Sequence, residues 1–190
     1  MLSAIISTHE SERALVSTLA ALVPGATAGF LGEVVVADAG SRDATAEVAD
    51  VAGCRFMLLS GPLGARLKAA AVSTHAPWLM FLRAGCVPEP GWVGAAEYFI
   101  GSVGGGATYA AVFRPSGVGD LLRPGLSELV ALLRVAFGGG ARPEHGLLIA
   151  RRFYDQLGGH SDGADAEADL LRRIGRRRIT MLATAAGSAL

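Results

Sequence analysis

The 190-residue chain has few of the residues on which several classes of protein depend. Its two cysteines can form neither a disulfide framework nor a structural zinc site. Only 18% of its residues are charged, and 17 basic and 17 acidic side chains cancel, so no net positive charge attracts nucleic acid. No uncharged apolar run reaches the roughly 18 residues needed to cross a bilayer, and the first residues lack a signal-peptide pattern. These features predict a cytoplasmic protein that binds no nucleic acid.

Apolar residues, by contrast, make up 51% of the chain, and glycine occurs 26 times. A chain with this much apolar and so little charged sequence buries a substantial core rather than staying disordered. A length of 190 residues fits one domain. Since no internal repeat and no linker-like segment divides the sequence, we expect residues 1–190 to fold as a single domain.

Buried-strand patterns alternate with helical patterns through the first half of the chain. Both faces of the strand segments are apolar, as in EVVVA at 33–37 and WLMFL at 78–82. Strands are predicted at 2–7, 33–37, 55–59 and 78–82, and helices at 12–22, 41–51 and 64–74. This alternation is typical of a parallel sheet covered on both faces, with the site at the C-terminal ends of the strands.

The second half is less regular, because glycine-rich stretches at 101–106 and 138–140 interrupt the pattern. Helices are predicted at 88–100, 125–137 and 166–174, and short strands at 107–113, 146–150 and 179–183. The last helix begins with acidic residues and ends with arginines, an order that suits the helix dipole. The sequence therefore predicts an α/β fold.

Five segments, in chain order, resemble the family-2 glycosyltransferases of the GT-A fold. They read IISTHESERAL at 5–15, VVVADAGSRDAT at 34–45, GARLKAAAVSTHAPWLMFLRAGCVPEPGW at 64–92, HGLLIARRFYDQLGG at 145–159 and AEADLLRRIGRRR at 166–178. The resemblance covers most of the chain and implies a Rossmann-like α/β domain with a mixed, mostly parallel sheet flanked by helices. It also implies a nucleotide-binding half at 1–92 and an acceptor-side half at 93–190.

The activity implied by the resemblance is transfer of a sugar from a nucleotide-sugar donor to a hydroxyl acceptor. Nucleotide contacts are implied for Thr8 and Glu10 after the first strand, for Asp38 after the second, and for Arg66 on a later helix. Carboxylates there can accept hydrogen bonds from a base or ribose, and a guanidinium can pair with phosphate. The alternatives are an ordinary polar loop, a turn and helix cap at Asp38, and a solvated arginine.

The segment FLRAG at 81–85 stands where the family carries the Asp-x-Asp motif that binds Mg²⁺ or Mn²⁺. Such divalent cations need oxygen ligands, which the side chains of Arg83 and Gly85 do not supply. We therefore expect no metal cofactor, and we expect Arg83 to place its fixed charge beside the donor diphosphate. Two alternatives stay open: the site has decayed and no longer catalyses transfer, or Arg83 is a plain surface residue.

The candidate catalytic base lies at the start of the helix predicted at 166–174. Inverting transferases use a carboxylate to deprotonate the acceptor hydroxyl. The resemblance aligns their Glu-Asp pair with Ala166 and Glu167, so Glu167 is the predicted base and Asp165 its substitute. The alternative is that both acidic side chains serve only the helix dipole.

Three hypotheses cover the whole chain. The first is a metal-independent glycosyltransferase, and the second is a catalytically inactive GT-A-like nucleotide-binding or scaffold protein, so whether the chain is an enzyme stays open. A nucleotidyltransferase is disfavoured, because THESER at 8–13 replaces the glycine-rich, lysine-containing loop expected in such an enzyme. The arginine-rich segment at 172–178 leaves peripheral membrane contact open, and the sequence also leaves homo-oligomerisation open.

Overall fold

The computed structural model describes residues 1–104, 108–115, 142–163 and 165–188. The helix predicted at 125–137 and the glycine-rich stretch at 138–140 lie outside these residues. The strands are β1 (Leu2–Thr8), β2 (Leu31–Asp38), β3 (Arg55–Leu58), β4 (Trp78–Arg83), β5 (Cys86–Pro88), β6 (Ala110–Pro115), β7 (Leu147–Ala150) and β8 (Ile179–Ser188).

From β1 to β4 the helices alternate with the strands, as the sequence pattern predicts. The helices are α1 (Glu12–Thr27), α2 (Thr45–Val51), α3 (Leu63–Val72), α4 (Trp92–Val103), α5 (Arg151–Gln156) and α6 (Ala166–Ile174). Single 3-10 turns occupy Pro143–His145 and Arg176–Arg178. None of the described helices is both long and apolar enough to span a membrane.

The described strands form one sheet in the order β3-β2-β1-β4-β7-β6-β8-β5. The first four strands of that order run parallel to one another. Strand β7 is antiparallel to both β4 and β6, whereas β8 pairs in parallel with β6 and antiparallel with β5. The prediction of a mixed, mostly parallel sheet flanked by helices is therefore confirmed.

Strand β1 lies inside the parallel part of the sheet, and six of its seven residues are buried. Ile5 has no exposed surface, and the register places it between Val35 of β2 and Phe81 of β4. Burying a side chain of this size contributes roughly 1.5–3 kcal/mol. The apolar residues at positions 4–6 of β1 are thus what a strand buried on both faces requires.

The strand register brings three of the predicted site residues to one edge of the sheet. Thr8 at the end of β1 lies beside Asp38 at the end of β2, and Ser7 lies beside Arg83 at the end of β4. Parallel strands deliver their C-terminal ends to the same edge, where the following loops can form a ligand site. The residues singled out in the sequence therefore share that edge.

Helix α2 begins at Thr45, and the start predicted at residue 41 is wrong. The side chains of Ser41 and Asp43 are engaged in local hydrogen bonds: the Ser41 hydroxyl donates to Asp38, and Asp43 accepts from the Thr45 N–H. Such bonds compete with helical ones and stabilise a turn. Ser41 and Asp43 thus belong to an ordered loop before the helix.

The C-terminal strand is longer than predicted, since β8 continues past residue 183 to Ser188. It pairs first with β6 and then with β5, a short strand that the sequence pattern did not predict. Strand β5 has only three residues and ends in Pro88, so it carries no recognisable alternation. Its existence depends on the distant partner β8, which local periodicity cannot indicate.

Candidate functional site

Asp38 is fully buried at the end of β2 and its carboxylate accepts four hydrogen bonds. The hydroxyls of Thr8 and Ser41 donate to Oδ1 at 2.7 and 2.5 Å. The backbone N–H groups of Gly40 and Ser41 donate to Oδ2, both at 2.7 Å. All four donors are neutral groups of the protein, so the carboxylate organises the loop that follows β2.

The ionisation of Asp38 follows from these contacts. Burial by itself acts to raise the pKa of Asp38, but the hydrogen bonds from Ser41, Thr8 and Gly40 outweigh it, and the pKa lies below its ordinary value of 3.8. Hydrogen bonds donated to the charged form of a carboxyl group favour that form. Asp38 is therefore a charged residue at neutral pH with its acceptor capacity used inside the protein.

The loops after β1 and β2 are bonded directly to one another through Glu10. Its N–H donates to the Ser41 hydroxyl at 2.8 Å, and its Oε1 accepts the Arg42 N–H at 2.8 Å. Glu10 has a positive φ of 50°, which is unusual for a residue other than glycine and which positions both groups toward the second loop. The two loops thus form one connected, solvent-exposed wall at the edge of the sheet.

Arg66 reaches from α3 to the underside of these loops. Its Nη1 donates to the carbonyl oxygen of Ala37 at 2.9 Å and to that of Thr8 at 3.5 Å. The residue is only 9% exposed, and burial lowers its pKa although the nearby charge of Asp38 opposes the shift. Within the described part of the chain, the buried Nε has no hydrogen-bond partner. Arg66 therefore ties together the ends of β1 and β2.

Arg83 and Glu167, predicted for different tasks, form an ion pair with each other. Nε of Arg83 donates to Glu167 Oε2 at 2.9 Å, and Nη2 donates to the same oxygen. This hydrogen bonding raises the pKa of Arg83. The Arg83 side chain is 45% exposed and that of Glu167 is 12% exposed. The contact joins the end of β4 to the first turn of α6 and leaves nearly half of the Arg83 side chain open to solvent.

A shallow depression lies beside this ion pair. Phe81, Leu147 and Leu171 form its apolar wall, and Glu167 and His160 contribute polar groups to it. Arg142, Pro143 and Gly146 complete the lining. The depression thus combines a carboxylate, an imidazole and a guanidinium with an apolar surface, a composition suited to an organic ligand with polar substituents.

Comparison with known proteins identifies the family. The family described as glycosyl transferase family 2 matches residues 3–140, which is more than half of the chain. The chain belongs to glycosyl transferase family 2. No curated protein was found to match it in sequence.

Solved structures confirm the GT-A fold of this family-2 chain. Glucosyl-3-phosphoglycerate synthase from Mycobacterium tuberculosis, in complex with Mn²⁺, UDP and glucosyl-3-phosphoglycerate, superposes with a TM-score of 0.70 at 20% identity. The alignment covers 100% of this chain and 72% of that one. S. aureus TarS superposes with a TM-score of 0.73 at 15% identity, covering 99% of this chain and 60% of that one. Identities this low concern the fold alone.

The donor atoms at the end of β4 do not fit a divalent cation. Arg83 offers only N–H donors and Gly85 has no side chain, while its N–H donates to the Thr18 hydroxyl at 2.9 Å. Across the residues that the structure describes, no group of three His, Cys, Asp or Glu side chains is placed to hold a metal ion.

The structure divides the predicted site residues into two groups. Thr8, Asp38 and Arg66 form a buried cluster, with Glu10 on the exposed loop above it. Arg83 and Glu167 form the second group. Asp165 is exposed at the residue before α6 and makes no side-chain bond to the described start of that helix. It therefore belongs to neither group.

His160 and Tyr154 are polar residues of this region that sequence reasoning missed. His160 lines the depression, and its Nδ1 lies 2.9 Å from the Tyr154 hydroxyl. A histidine in a glycine-rich loop carries no sequence signal that separates a buried ring from a solvated one. Only the packing of its imidazole against Phe81, on a distant strand, reveals its position.

Proposed function

We propose that this protein binds a nucleotide sugar at the C-terminal edge of its sheet and transfers the sugar to a hydroxyl acceptor without a divalent metal. The observation that carries the proposal is the side chain of Arg83 at the end of β4, which is 45% exposed. A guanidinium supplies fixed positive charge and parallel N–H donors, which match phosphate oxygens. The GT-A fold supports the assignment, since glucosyl-3-phosphoglycerate synthase, a structural neighbour, binds UDP on it.

In the proposed site, Arg83 can exchange its partner Glu167 for the donor diphosphate. An exposed ion pair contributes only about 0–1 kcal/mol, so separating it costs little. A diphosphate carries more negative charge than one carboxylate and offers several acceptor oxygens to the parallel N–H donors of the Arg83 guanidinium. Donor binding therefore draws Arg83 away from Glu167, and the guanidinium stabilises the negative charge that develops on the leaving diphosphate.

Release from Arg83 gives Glu167 its role in transfer. While Glu167 Oε2 accepts two hydrogen bonds from the Arg83 guanidinium, that oxygen is occupied and an acceptor hydroxyl cannot donate to it freely. Once freed, Glu167 accepts the proton of the acceptor hydroxyl as that oxygen bonds to the sugar carbon and the bond to the diphosphate breaks. The donor thus has to bind before the base can act. Asp165, which is exposed and immediately precedes α6, is the weaker candidate for the catalytic base.

The buried cluster serves the nucleotide indirectly. Asp38 and Thr8 use their polar atoms on each other and on the loop after β2, and Arg66 holds two strand-end carbonyls. We assign these three residues to positioning the loops that receive the nucleotide. To Glu10, which is exposed on the rim, we assign direct contact with the nucleotide. This division keeps residues 1–92 as the nucleotide-binding half and 93–190 as the acceptor-side half. A cytoplasmic location, membrane contact and homo-oligomerisation stay predictions.

Calorimetric titration with UDP and with GDP tests the proposal. We expect one of them to bind equally well in EDTA and in Mn²⁺, and we expect Arg83→Ala to weaken that binding at least tenfold. Arg55→Ala is the matched control, because Arg55 forms an ion pair with Glu33, is 44% exposed, and lies at the start of β3. Binding that requires Mn²⁺, or that survives in Arg83→Ala, contradicts the proposal.

A second candidate is a catalytically inactive nucleotide-binding protein. The same ion pair favours it, because Glu167 cannot act as a base while Arg83 holds it. The two candidates differ in turnover: a transferase releases nucleoside diphosphate from a nucleotide sugar when acceptor is present, whereas an inactive protein binds it without release. If Glu167→Gln still binds the donor but no longer releases nucleoside diphosphate, Glu167 is the catalytic base.

A further inference from the structure

His160 is a buried histidine with one face on the candidate site. It lies in the loop between α5 and α6 and is 2% exposed. Its ring packs edge-on against Phe81, with centroids 4.7 Å apart, and it lines the depression that contains Glu167. A polar ring is thus fixed by the core while it borders a surface on which a ligand can lie.

Hydrogen bonds to Tyr154 determine where the imidazole proton sits. The His160 backbone N–H donates to the phenolic oxygen at 3.2 Å, and Nδ1 lies 2.9 Å from that oxygen. In the arrangement that we favour, the Tyr154 hydroxyl accepts the backbone N–H and donates its own proton to Nδ1. The imidazole then carries its proton on Nε2, for which the structure records no hydrogen bond among the described residues.

The charge state of both rings agrees with this arrangement. Burial, with the charge of Arg173 adding to it, lowers the pKa of His160 to about 4. Burial also raises the pKa of Tyr154 to about 12. Both side chains are therefore neutral at physiological pH, and His160 presents an N–H donor rather than a base.

We infer that His160 and Glu167 together bind one hydroxyl group of a polyhydroxylated acceptor. A hydroxyl can accept from the Nε2–H of His160 while it donates to the Glu167 carboxylate, so it satisfies both groups at once. The wall of Phe81, Leu147 and Leu171 fits the C–H face of a polyol or sugar. The inference rests on the proposed function, in which Glu167 receives the proton of that hydroxyl.

This arrangement selects for the hydroxyl. A ligand that lacks it leaves the Nε2–H of His160 without an acceptor, which weakens binding by roughly tenfold. His160 is in these terms a positioning and selectivity residue: it orients the hydroxyl oxygen toward the donor and takes no proton itself.

Nitrogen-15 NMR of the histidine side chains in the full chain tests the inference. In the protein alone we expect His160 to show the tautomer protonated on Nε2 and to stay neutral down to about pH 5. Titration with glycerol, with and without UDP, is expected to shift the Nε2 resonance. 1,2,3-Trimethoxypropane at the same concentrations has every glycerol hydroxyl methylated, so none can donate to Glu167, and it is expected to cause a shift roughly tenfold smaller.

Three variants separate donation from structure. Tyr154→Phe removes the proton donor to Nδ1, so the Nδ1–H tautomer is expected to become populated and the glycerol shift to fall. His160→Phe keeps a flat ring without a donor and is expected to weaken glycerol binding about tenfold, with UDP affinity unchanged within twofold. His160→Gln restores an N–H donor and is expected to recover part of the binding.

The outcomes distinguish this inference from the proposed function. An Nδ1–H tautomer in the wild-type protein, or a His160 resonance that glycerol does not move, overturns the inference even when UDP binds normally. Failure of both UDP and GDP to bind overturns the proposed function, while the tautomer in the protein alone is still measured. The inference is supported by the Nε2–H tautomer together with a glycerol shift that is lost in Tyr154→Phe.

Discussion

Two carboxylates at the same edge of the sheet have opposite kinds of partner. Asp38 is fully buried and bound by four neutral donors, three of them from the two residues Gly40 and Ser41 that follow it closely. Glu167 is bound by one cation, Arg83, which lies 84 positions away in the chain and is half exposed.

The difference separates a residue that shapes a site from one that can act in it. Neighbours in the chain cannot leave Asp38 without unfolding the loop, so its carboxylate is held for as long as the loop is ordered. Arg83 can rotate into solvent or onto a ligand, so Glu167 can be released. A buried network favours rigidity, whereas an exposed ion pair adds little stability and can exchange partners.

The largest expected effect on stability concerns the close contact between α3, which carries Arg66, and the loop before α6, which carries Glu167. Gly64 of α3 packs against the loop before α6, and a Cβ there would overlap the Ser161 carbonyl oxygen and come within 2.5 Å of the Ala166 Cβ. We expect Gly64→Ala to lower the free energy of unfolding by about 3 kcal/mol, because backbone has to move. Urea denaturation measures this change.

The matched control is Gly94→Ala on α4. A Cβ at Gly94 meets nothing within 4 Å among the described residues. Alanine in a helix interior is then expected to raise stability by about 0.5–1 kcal/mol. Equal effects of the two substitutions would show that α3 does not pack closely on the loop before α6.

Asp38→Asn is expected to lower the free energy of unfolding by about 2 kcal/mol. The amide turns one acceptor into a donor that faces the N–H and hydroxyl donors of Gly40, Ser41 and Thr8. Thermal and urea unfolding measure the loss, and Asp50→Asn on the exposed face of α2 is the control. A change as small as that of the control contradicts a structural role for Asp38.

At acidic pH we expect the free energies of unfolding of the wild type and of Asp38→Asn to become more similar. The pKa of Asp38 is lowered in the folded protein, so its contribution to stability is complete above the unfolded value of 3.8 and is lost as the pH falls below it. We expect the two stabilities, measured by urea denaturation, to converge below about pH 4. A constant difference down to pH 2 would refute the lowered pKa.

The smallest expected effect on stability is that of the exposed ion pairs. Arg83→Ala and Arg55→Ala should each lower the free energy of unfolding by about 0–1 kcal/mol, since the two arginines are 45% and 44% exposed. Measured by thermal unfolding, the loss should be the larger one in Arg83→Ala, because Glu167 is 12% exposed and Glu33 is 31% exposed, and only Arg83→Ala should affect UDP binding. A loss above about 2 kcal/mol in Arg83→Ala alone would mark the pair with Glu167 as structural.

Much of the fold could be predicted from local pattern. The helix at Ala166–Ile174 was predicted with its observed bounds, and the apolar runs of β1, β2 and β4 indicated the parallel sheet. Strand β5 and the end of β8 were missed, because each is defined by pairing with the other rather than by its own alternation.

For the candidate site, sequence reasoning named individual residues but could not predict which of them contact one another. The order of motifs indicated Arg83 and Glu167 separately, but no spacing rule relates residues 84 positions apart. Likewise, the buried state of Asp38 depends on Thr8 from a neighbouring strand, and the role of His160 depends on Tyr154 and Phe81. Tertiary packing supplies these partners, so local sequence cannot reveal them.

The central claim is that Arg83 exchanges Glu167 for the donor diphosphate, and paired titrations with UDP and GDP in EDTA test it most directly. Arg83→Gln should weaken nucleotide binding at least tenfold, whereas Glu167→Gln should strengthen it, by up to about fivefold, because the internal competitor has been removed. Glu33→Gln, which frees Arg55 in the same way, should leave binding unchanged. Weaker binding in both Arg83→Gln and Glu167→Gln, or no change in either, would contradict the account.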